Sequence, residues 1–355
     1  MDTAEKTGME NESAGQGEKR EKESRMLWLD ALKGIAMIMV IIGHGPVVSE
    51  HVNQWINAFH MPLFFCIAGY TFKKKENVRQ FAANKFARLM KPYFFTVGML
   101  MISALLLQFR IVGMDWQKFG GGQIAFRWIW AGIYGSCWPY EKPFVIYDIG
   151  AIWFLCALFC GEIVFQHLLH VKEESIPFFV VLLAYLGIET RVYFWFPWGL
   201  QSGLAALVFL YAGYLAREHK WLATKIPLCA HVIMGFCILT GLLEKSMAIC
   251  GNNTYTHGWF TMAVAVFLSY YTGRAAQFLV RYALFLARWF AFYGKNSLVI
   301  LCFHLVELDF VPWTSFVRVF ADERMNHMAV LGCKMGFAAV VVVVKNRTWL
   351  RKIFG

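Results

Sequence analysis

Ten apolar runs, each about as long as a membrane-spanning helix, follow one another along most of this chain. A helix needs about 20 apolar residues to cross the hydrocarbon core of a bilayer. Hydrophobic residues make up 58% of the 355 residues and charged residues only 16%, against about 25% charged residues in soluble domains. The sequence therefore predicts an all-α, polytopic membrane protein with about ten transmembrane helices, near residues 29–48, 54–72, 92–112, 149–169, 176–196, 198–216, 222–243, 257–273, 289–311 and 327–344.

Lysines and arginines are unevenly distributed between the segments that connect these runs. If the N-terminus is cytoplasmic, the segments on that side carry roughly three times as many of them as the segments on the other side,. This bias predicts a multi-pass protein of the cell membrane with both termini in the cytoplasm. It also accounts for the net charge of +11 without a nucleic-acid partner. Residues 1–25 are predicted to be a disordered cytoplasmic tail, and residues 26–355 a single membrane domain.

The first apolar run contains ionisable residues, which are costly inside a bilayer and usually mark a functional path. Lys33 and His44 are eleven positions apart, which places them on one helical stripe about 16 Å apart along the axis. Asp30 lies three residues before Lys33, on a neighbouring face. The alternative is that Lys33 extends to the cytoplasmic surface and His44 caps the outer end of an ordinary span.

Two further polar features follow in the second and third runs. His60 precedes Pro62, whose missing amide leaves a carbonyl to be satisfied inside the bundle; the alternative for His60 is a structural, hydrogen-bonded histidine. The strongly basic stretch KKKENVRQFAANKFARLMKPYFF comes next, and Pro92 is expected to open the third span. The simplest interpretation of this basic stretch is that it keeps the connection on the cytoplasmic side of the membrane, as the positive-inside rule predicts. Lys85 and Arg88, three residues apart, share a helical face and are candidates to bind the phosphates of a nucleotide-like ligand.

These motifs together resemble the integral-membrane acyltransferase family 3, whose members transfer acyl groups, most often acetyl, to carbohydrate hydroxyls. The resemblance rests on LDALKGIAMIMVIIGH, FHMPLFFCIAGYTF and KFARLMKPYFF, and more loosely on IWFLCALF, FLYAGYLAR and GKNSLVILCFH. Without an appended outer domain, the chain is similar to the fucose 4-O-acetylase-like, polysaccharide O-acetyltransferase branch. The family more usually has arginine where this chain has Lys33 and Lys85, and lysine cannot form the same bidentate fork.

The resemblance implies acetyl-CoA as donor and a carbohydrate or lipid-linked saccharide as acceptor, with no metal. His44 would then be the general base or a nucleophile that carries the acyl group. Lys33, with Asp30, would polarise the thioester or orient the donor. The predicted residues for binding the phosphates of the donor are Lys85, Arg88, Lys73, Lys74 and Arg79.

A second group of polar residues is predicted with less specificity. His304 and Glu307, three apart in the ninth run, are either a second proton-handling pair or an internal packing pair. Trp153 and other tryptophans near the predicted interfaces are typical of aromatic belts, although some could stack on a sugar ring. The segment 113–148 is a candidate lid facing the acceptor. Cys137 and Cys250 lie in predicted outer loops, and the sequence leaves open whether they pair.

Two other functions compete with an acyltransferase. A transporter or flippase of a saccharide or acyl compound would also carry charges inside the membrane, but it should show two similar halves with helices broken in matching places. No such symmetry is visible in the sequence. A non-catalytic partner with the same fold would tolerate the loss of His44.

Overall fold

A computed structural model describes residues 27–45, 49–108, 124–141, 144–316, 320 and 322–354. The predicted tail 1–25 lies outside these residues, as does part of the predicted lid. The described chain folds into fifteen helices, three short 3-10 turns and one two-stranded hairpin. The helices are α1 (27–43), α2 (Glu50–Thr71), α3 (Val78–Gln108), α4 (Ile124–Tyr134), α5 (Trp153–Leu168), α6 (Ile176–Glu189), α7 (Leu200–Ala205), α8 (Leu207–Glu218), α9 (Leu228–Leu243), α10 (Trp259–Tyr282), α11 (Leu284–Lys295), α12 (Ser297–Phe310), α13 (Trp313–Phe316), α14 (Glu323–Arg347) and α15 (Arg351–Phe354).

The only strands among the described residues form a short antiparallel hairpin after α9. Strand β1 (Ala248–Ile249) pairs with β2 (Thr254–Tyr255). Because every other regular element is helical, the backbone polar groups are satisfied within each segment, as a bilayer requires. The chain is an all-α membrane protein.

Several helices have the length and composition of membrane spans. Among the described residues, three single helical segments qualify, and two helix pairs qualify if each pair is taken as one bent span. The pairs are α7 with α8, bent by 52°, and α11 with α12, bent by 68°. Helices α5 and α9 are apolar but shorter, with 16 residues each. Ten spans and cytoplasmic termini therefore remain predictions.

Helix α3 differs from the expectation that Pro92 would open a span. The helix begins fourteen residues earlier, at Val78, and continues through Pro92. Proline lacks the amide that would bond to the carbonyl of Arg88, but the helix tolerates this loss, and the hydroxyl of Thr96 donates to the carbonyl of Pro92 at 2.8 Å. As a result Lys85 and Arg88 belong to the same rigid helix as the apolar segment that enters the bundle.

The predicted lid is also more ordered than a loop. Within the described part of 113–148, residues Ile124–Tyr134 form α4, which packs on α3. The chain after α4 is pinned by two isolated bridges, between Ser136 and Asp148 and between Tyr140 and Ile146. The apolar face of α4 explains this helix, because IAFRWIWAGIY has too few polar residues for an exposed loop.

Helix α1 is held against α11 by a close backbone contact. A Cβ atom on Gly34 would overlap the carbonyl oxygen of Phe290, and one on Gly294 would overlap the carbonyl oxygen of Asp30. Glycine at these two positions lets the helices approach at backbone distance. This contact fixes the start of α1, and with it Asp30 and Lys33, relative to the rest of the bundle.

Candidate active site

One cavity in the bundle brings together six of the residues predicted from the sequence. Its volume is about 630 Å³, within the range of small-molecule sites,. Helices α1, α2, α3 and α5 and the two loops that follow α4 and α9 contribute most of its wall. The predicted residues that line it are Lys33, His44, His60, Lys85, Arg88 and Trp153.

Helix α1 presents one stripe of side chains to this cavity. Lys33, Met37, Val40 and His44 all line it, and their spacing of four, three and four residues keeps them on one helical face. Lys33 donates a hydrogen bond to Oδ1 of Asp30 at 3.4 Å. Asp30 itself is buried and does not line the cavity, so it acts on the site through Lys33.

His44 is oriented by its own helix. Its Nδ1 lies 2.9 Å from the carbonyl oxygen of Val40, so Nδ1 carries the proton and donates it to that carbonyl. The lone pair is then on Nε2, the nitrogen that a base or a nucleophile uses. His44 is exposed, and the surface it exposes contributes to the cavity wall. This residue therefore has both the tautomer and the access that proton transfer needs.

A buried polar cluster lies behind His44. The ring of His304 meets that of His44 edge to face, with centroids 5.7 Å apart and planes at 76°. Nδ1 of His304 lies 2.9 Å from Oε1 of Glu307, which also accepts from Nζ of Lys334 at 3.1 Å. Oε2 of Glu307 accepts from the indole of Trp313 at 2.7 Å. Every oxygen of this carboxylate thus has a donor.

The two ring nitrogens of His304 are in different situations. Nδ1 is held by Glu307, whereas Nε2 is buried and has no hydrogen-bond partner among the described residues. Neither His304 nor Glu307 lines the cavity. They are placed to act on the site only through the ring of His44.

The other end of the cavity is basic, and it holds a carboxylate that was not predicted. Lys85 donates to Oε1 of Glu162 at 2.5 Å, while the second oxygen of Glu162 is buried without a partner among the described residues. Arg88 lines the same end. Glu162 is the one acidic residue in the apolar helix α5, and an acid in such a segment is the signal that points to it.

A second cavity, of about 410 Å³, continues from this basic end. Thr71, Lys85 and Arg88 line both cavities. The other lining residues come from the α2–α3 connection and the start of α3 and include Lys73 and Lys75. Of the predicted phosphate-binding residues, Lys74 and Arg79 do not line either cavity.

The main cavity thus has a basic end at Lys85 and Arg88, an apolar middle and a histidine end at His44. The chain that forms it also matches a known family. The family model described as an acyltransferase domain, Acyl_transf_3, matches residues 26–344. The chain belongs to this family. Among the curated proteins no relative matches it significantly. The protein is therefore a membrane acyltransferase, and the resemblance found from the sequence motifs is confirmed at the level of the family, whereas the branch is not.

His60 and Trp153 also line the cavity in this acyltransferase. Nδ1 of His60 lies 2.8 Å from the carbonyl oxygen of Ile56, so its Nε2 also carries the lone pair. The carbonyl that Pro62 leaves without its amide partner is that of Ala58, four residues earlier, so this hydrogen bond orients the ring of His60 rather than compensating for the proline,. Trp153 begins α5, and its ring meets Phe154 edge to face.

Two cysteines stand at the histidine end of the cavity in this acyltransferase. Cys137 and Cys250 both line it, and both are free thiols. Burial raises the pKa of each thiol, so the nucleophilic thiolate is scarce near neutral pH. Within the described ranges, no group of three His, Cys, Asp or Glu side chains is arranged to hold a metal ion.

Proposed function

We propose that this protein transfers an acetyl or other short acyl group from cytoplasmic acyl-CoA to a hydroxyl of a cell-surface or lipid-linked carbohydrate. The observation that carries the proposal is the cavity itself. One continuous space is lined by Lys33, Lys85 and Arg88 toward one end and by His44 at the other. A polyanionic donor and a neutral hydroxyl acceptor would need just these two environments, within reach of each other.

The donor is assigned to the basic end. Its phosphates are attracted by Lys85, Arg88 and the lysines of the adjoining 410 Å³ cavity,. The long pantetheine arm then extends along the apolar middle of the main cavity and carries the thioester toward His44. Lys33 lies on the same stripe of α1 and orients the arm or polarises the thioester carbonyl.

The reaction needs one proton acceptor. The acceptor hydroxyl oxygen bonds to the thioester carbonyl carbon, the carbon–sulfur bond breaks, and Nε2 of His44 takes the hydroxyl proton. That proton then passes to the departing thiolate of CoA. In a second route Nε2 attacks the thioester first and the thiolate leaves; the acyl group then moves from the imidazole to the hydroxyl oxygen, the N–C bond breaks, and the hydroxyl proton passes to the thiolate.

A transporter is the weaker alternative. Inverted repeats should place broken helices at corresponding positions of two halves. The two bent helix pairs, α7–α8 and α11–α12, both lie in the second half of the chain, so they do not correspond. The uninterrupted helices of the first half carry the stripe and the basic end.

Label transfer tests the proposal directly. Inverted vesicles that contain the protein are supplied with radiolabelled acetyl-CoA and a glycan extract, and label in saccharide is measured. We expect His44→Ala to lower the rate at least about 100-fold while the protein stays inserted. His51→Ala is the matched control, because His51 is exposed and does not line the cavity.

Two outcomes would reject the proposal: equal rates for the His44 and His51 variants, or no transfer above that of empty membranes. A rapid-quench version without acceptor separates the two routes. Label that stays covalently on the wild-type protein and is absent from His44→Ala would establish the acyl-histidine route.

A further inference from the structure

A separate cavity lies next to the histidine end and has a lining unlike that of the main cavity. Its volume is about 360 Å³, and two segments form it. Pro139, Tyr140 and Glu141 come from the α4–α5 connection, and residues 191–195 come from the connection between α6 and α7. Four of its eight lining residues are aromatic, and Glu141 and Arg191 bring charge of both signs.

The backbone of this cavity is held in place by buried side chains. Gln201 donates to the carbonyl of Phe194 at 2.5 Å and accepts from the amide of Phe196 at 2.7 Å. The hydroxyl of Tyr134 donates to the carbonyl of Trp195. Tyr140 exchanges two backbone hydrogen bonds with Ile146, at 3.0 and 2.8 Å. A ligand would therefore meet a preformed surface and lose little binding free energy to ordering it.

The aromatic residues offer both a rigid base and an open face. Tyr140 stacks on Trp195, with centroids 5.0 Å apart and planes at 16°, while Tyr193 is 85% exposed. The indole N–H of Trp195 is buried with no acceptor among the described residues. Aromatic faces beside polar tips suit ligands that have an apolar face and a hydroxylated edge.

The charged residues complete this chemistry. Arg191 donates to the carbonyl of Asn253 and lies 3.4 Å from the hydroxyl of Thr254, which anchors it to the hairpin. Glu141 is exposed on the opposite segment. Sugar hydroxyls both donate and accept hydrogen bonds, so a cation and a carboxylate on one rim match them.

The two cavities adjoin at a single residue. Pro139 lines both of them, with Trp138 on the side of the main cavity and Tyr140 on the other. A chain of sugar units could thus extend from the His44 end across Pro139. We propose that the 360 Å³ cavity binds a second saccharide unit of the acceptor, next to the unit that is acylated. This inference rests on the proposed carbohydrate acceptor.

Binding, rather than transfer, is the test. Purified full-length protein is titrated with a fixed panel of neutral and acidic hexoses, N-acetylhexosamines and their di- to hexasaccharides, without acyl-CoA. We expect at least one oligosaccharide to bind the wild type, and Tyr193→Ala to raise its Kd about tenfold. Glu141→Gln should raise the same Kd. Both residues are exposed, so neither variant should affect folding.

Tyr282→Ala is the matched control, because Tyr282 is 62% exposed at the end of α10 and lines none of these cavities. Equal Kd values for Tyr193→Ala and Tyr282→Ala, or no binding by any member of the panel, would overturn the inference. If saccharide binds and label transfer fails, the acyltransfer proposal is wrong and this site stands. If label transfer succeeds but Tyr193→Ala and Tyr282→Ala bind saccharide with equal Kd values, the acyltransfer proposal stands and the second saccharide site is wrong.

Discussion

Nδ1 of His304 lies 2.9 Å from Oε1 of Glu307, and the His304 ring packs edge to face against His44 with centroids 5.7 Å apart. The nitrogen of His304 that is not held by Glu307 is buried and has no partner among the described residues. His304 therefore links His44 to a buried carboxylate through a ring contact and not through a hydrogen bond. Glu307 fixes the tautomer and the orientation of the His304 ring against which His44 packs,.

If His304 shares the proton that the proposed mechanism places on His44, Glu307→Gln should lower kcat about 100-fold, because glutamine lacks the charge that would stabilise a cation on His304. The KM for acetyl-CoA should stay close to that of the wild type. Lys334→Met is the comparison, since it breaks the same ion pair but leaves the carboxylate on His304 and Trp313. Both variants should lose stability, by about 3–5 kcal/mol for a broken buried pair. Equal losses of kcat in the two variants would mean that Glu307 is only structural.

We expect Lys85 and Arg88, at the basic end of the cavity, to bind the donor. Lys85→Ala and Arg88→Ala should each raise the KM for acetyl-CoA about 10- to 100-fold, as expected for one charge-assisted hydrogen bond. Lys74→Ala should not, because Lys74 lines neither cavity. The measurement is initial rate against donor concentration at low and high salt. An increase in KM shared by all three variants would indicate general attraction to the basic segment.

Removing the charge of Glu162 should change the KM for acetyl-CoA in the opposite direction. Its carboxylate lies 2.5 Å from Nζ of Lys85, so under the proposed function the phosphates of the donor compete with Glu162 for Lys85. Removal of this charge by Glu162→Gln should lower the KM for acetyl-CoA several-fold, since about 1.4 kcal/mol corresponds to a factor of ten. The free Lys85 is tolerated because its side chain is 22% exposed. A higher KM would show instead that Glu162 holds Lys85 in its binding position or contacts the donor.

A larger side chain at the close contact between α1 and α11 should lower the stability of the protein. In Gly294→Ala the new methyl group overlaps the carbonyl of Asp30, and overpacking of this kind costs about 1–3 kcal/mol. Gly336→Ala is the matched control, because a Cβ there meets no described atom within 4 Å. Thermal unfolding of the purified proteins in detergent compares them. Identical melting temperatures would mean that α1 and α11 can separate without cost.

Part of this site could be predicted from local patterns in the sequence. The spacing of Lys33 and His44 places both on one face of any α-helix, since each residue turns by about 100°. The cost of charge in a bilayer marked α1 as a candidate functional span, and it drew attention to His304 and Glu307 in the ninth run as either a proton-handling or a packing pair. The same argument applies to Glu162 in α5, which was not predicted although an acid in an apolar segment is a signal that the sequence contains,.

Tertiary packing decided the rest. Lys85 meets Glu162 across 77 positions, and Lys334 meets Glu307 across 27. No periodicity relates these pairs, because each depends on which helices become neighbours. The sequence also predicted the wrong start for the third helix, since the penalty of Pro92 is local and a helix packed in a bundle can absorb it. Apolar pattern and charge determined the class of protein and the stripe of Lys33 and His44. Packing of α1, α2, α3 and α5 decided that the stripe and the basic end share one cavity, because only contacts between distant segments enclose a space.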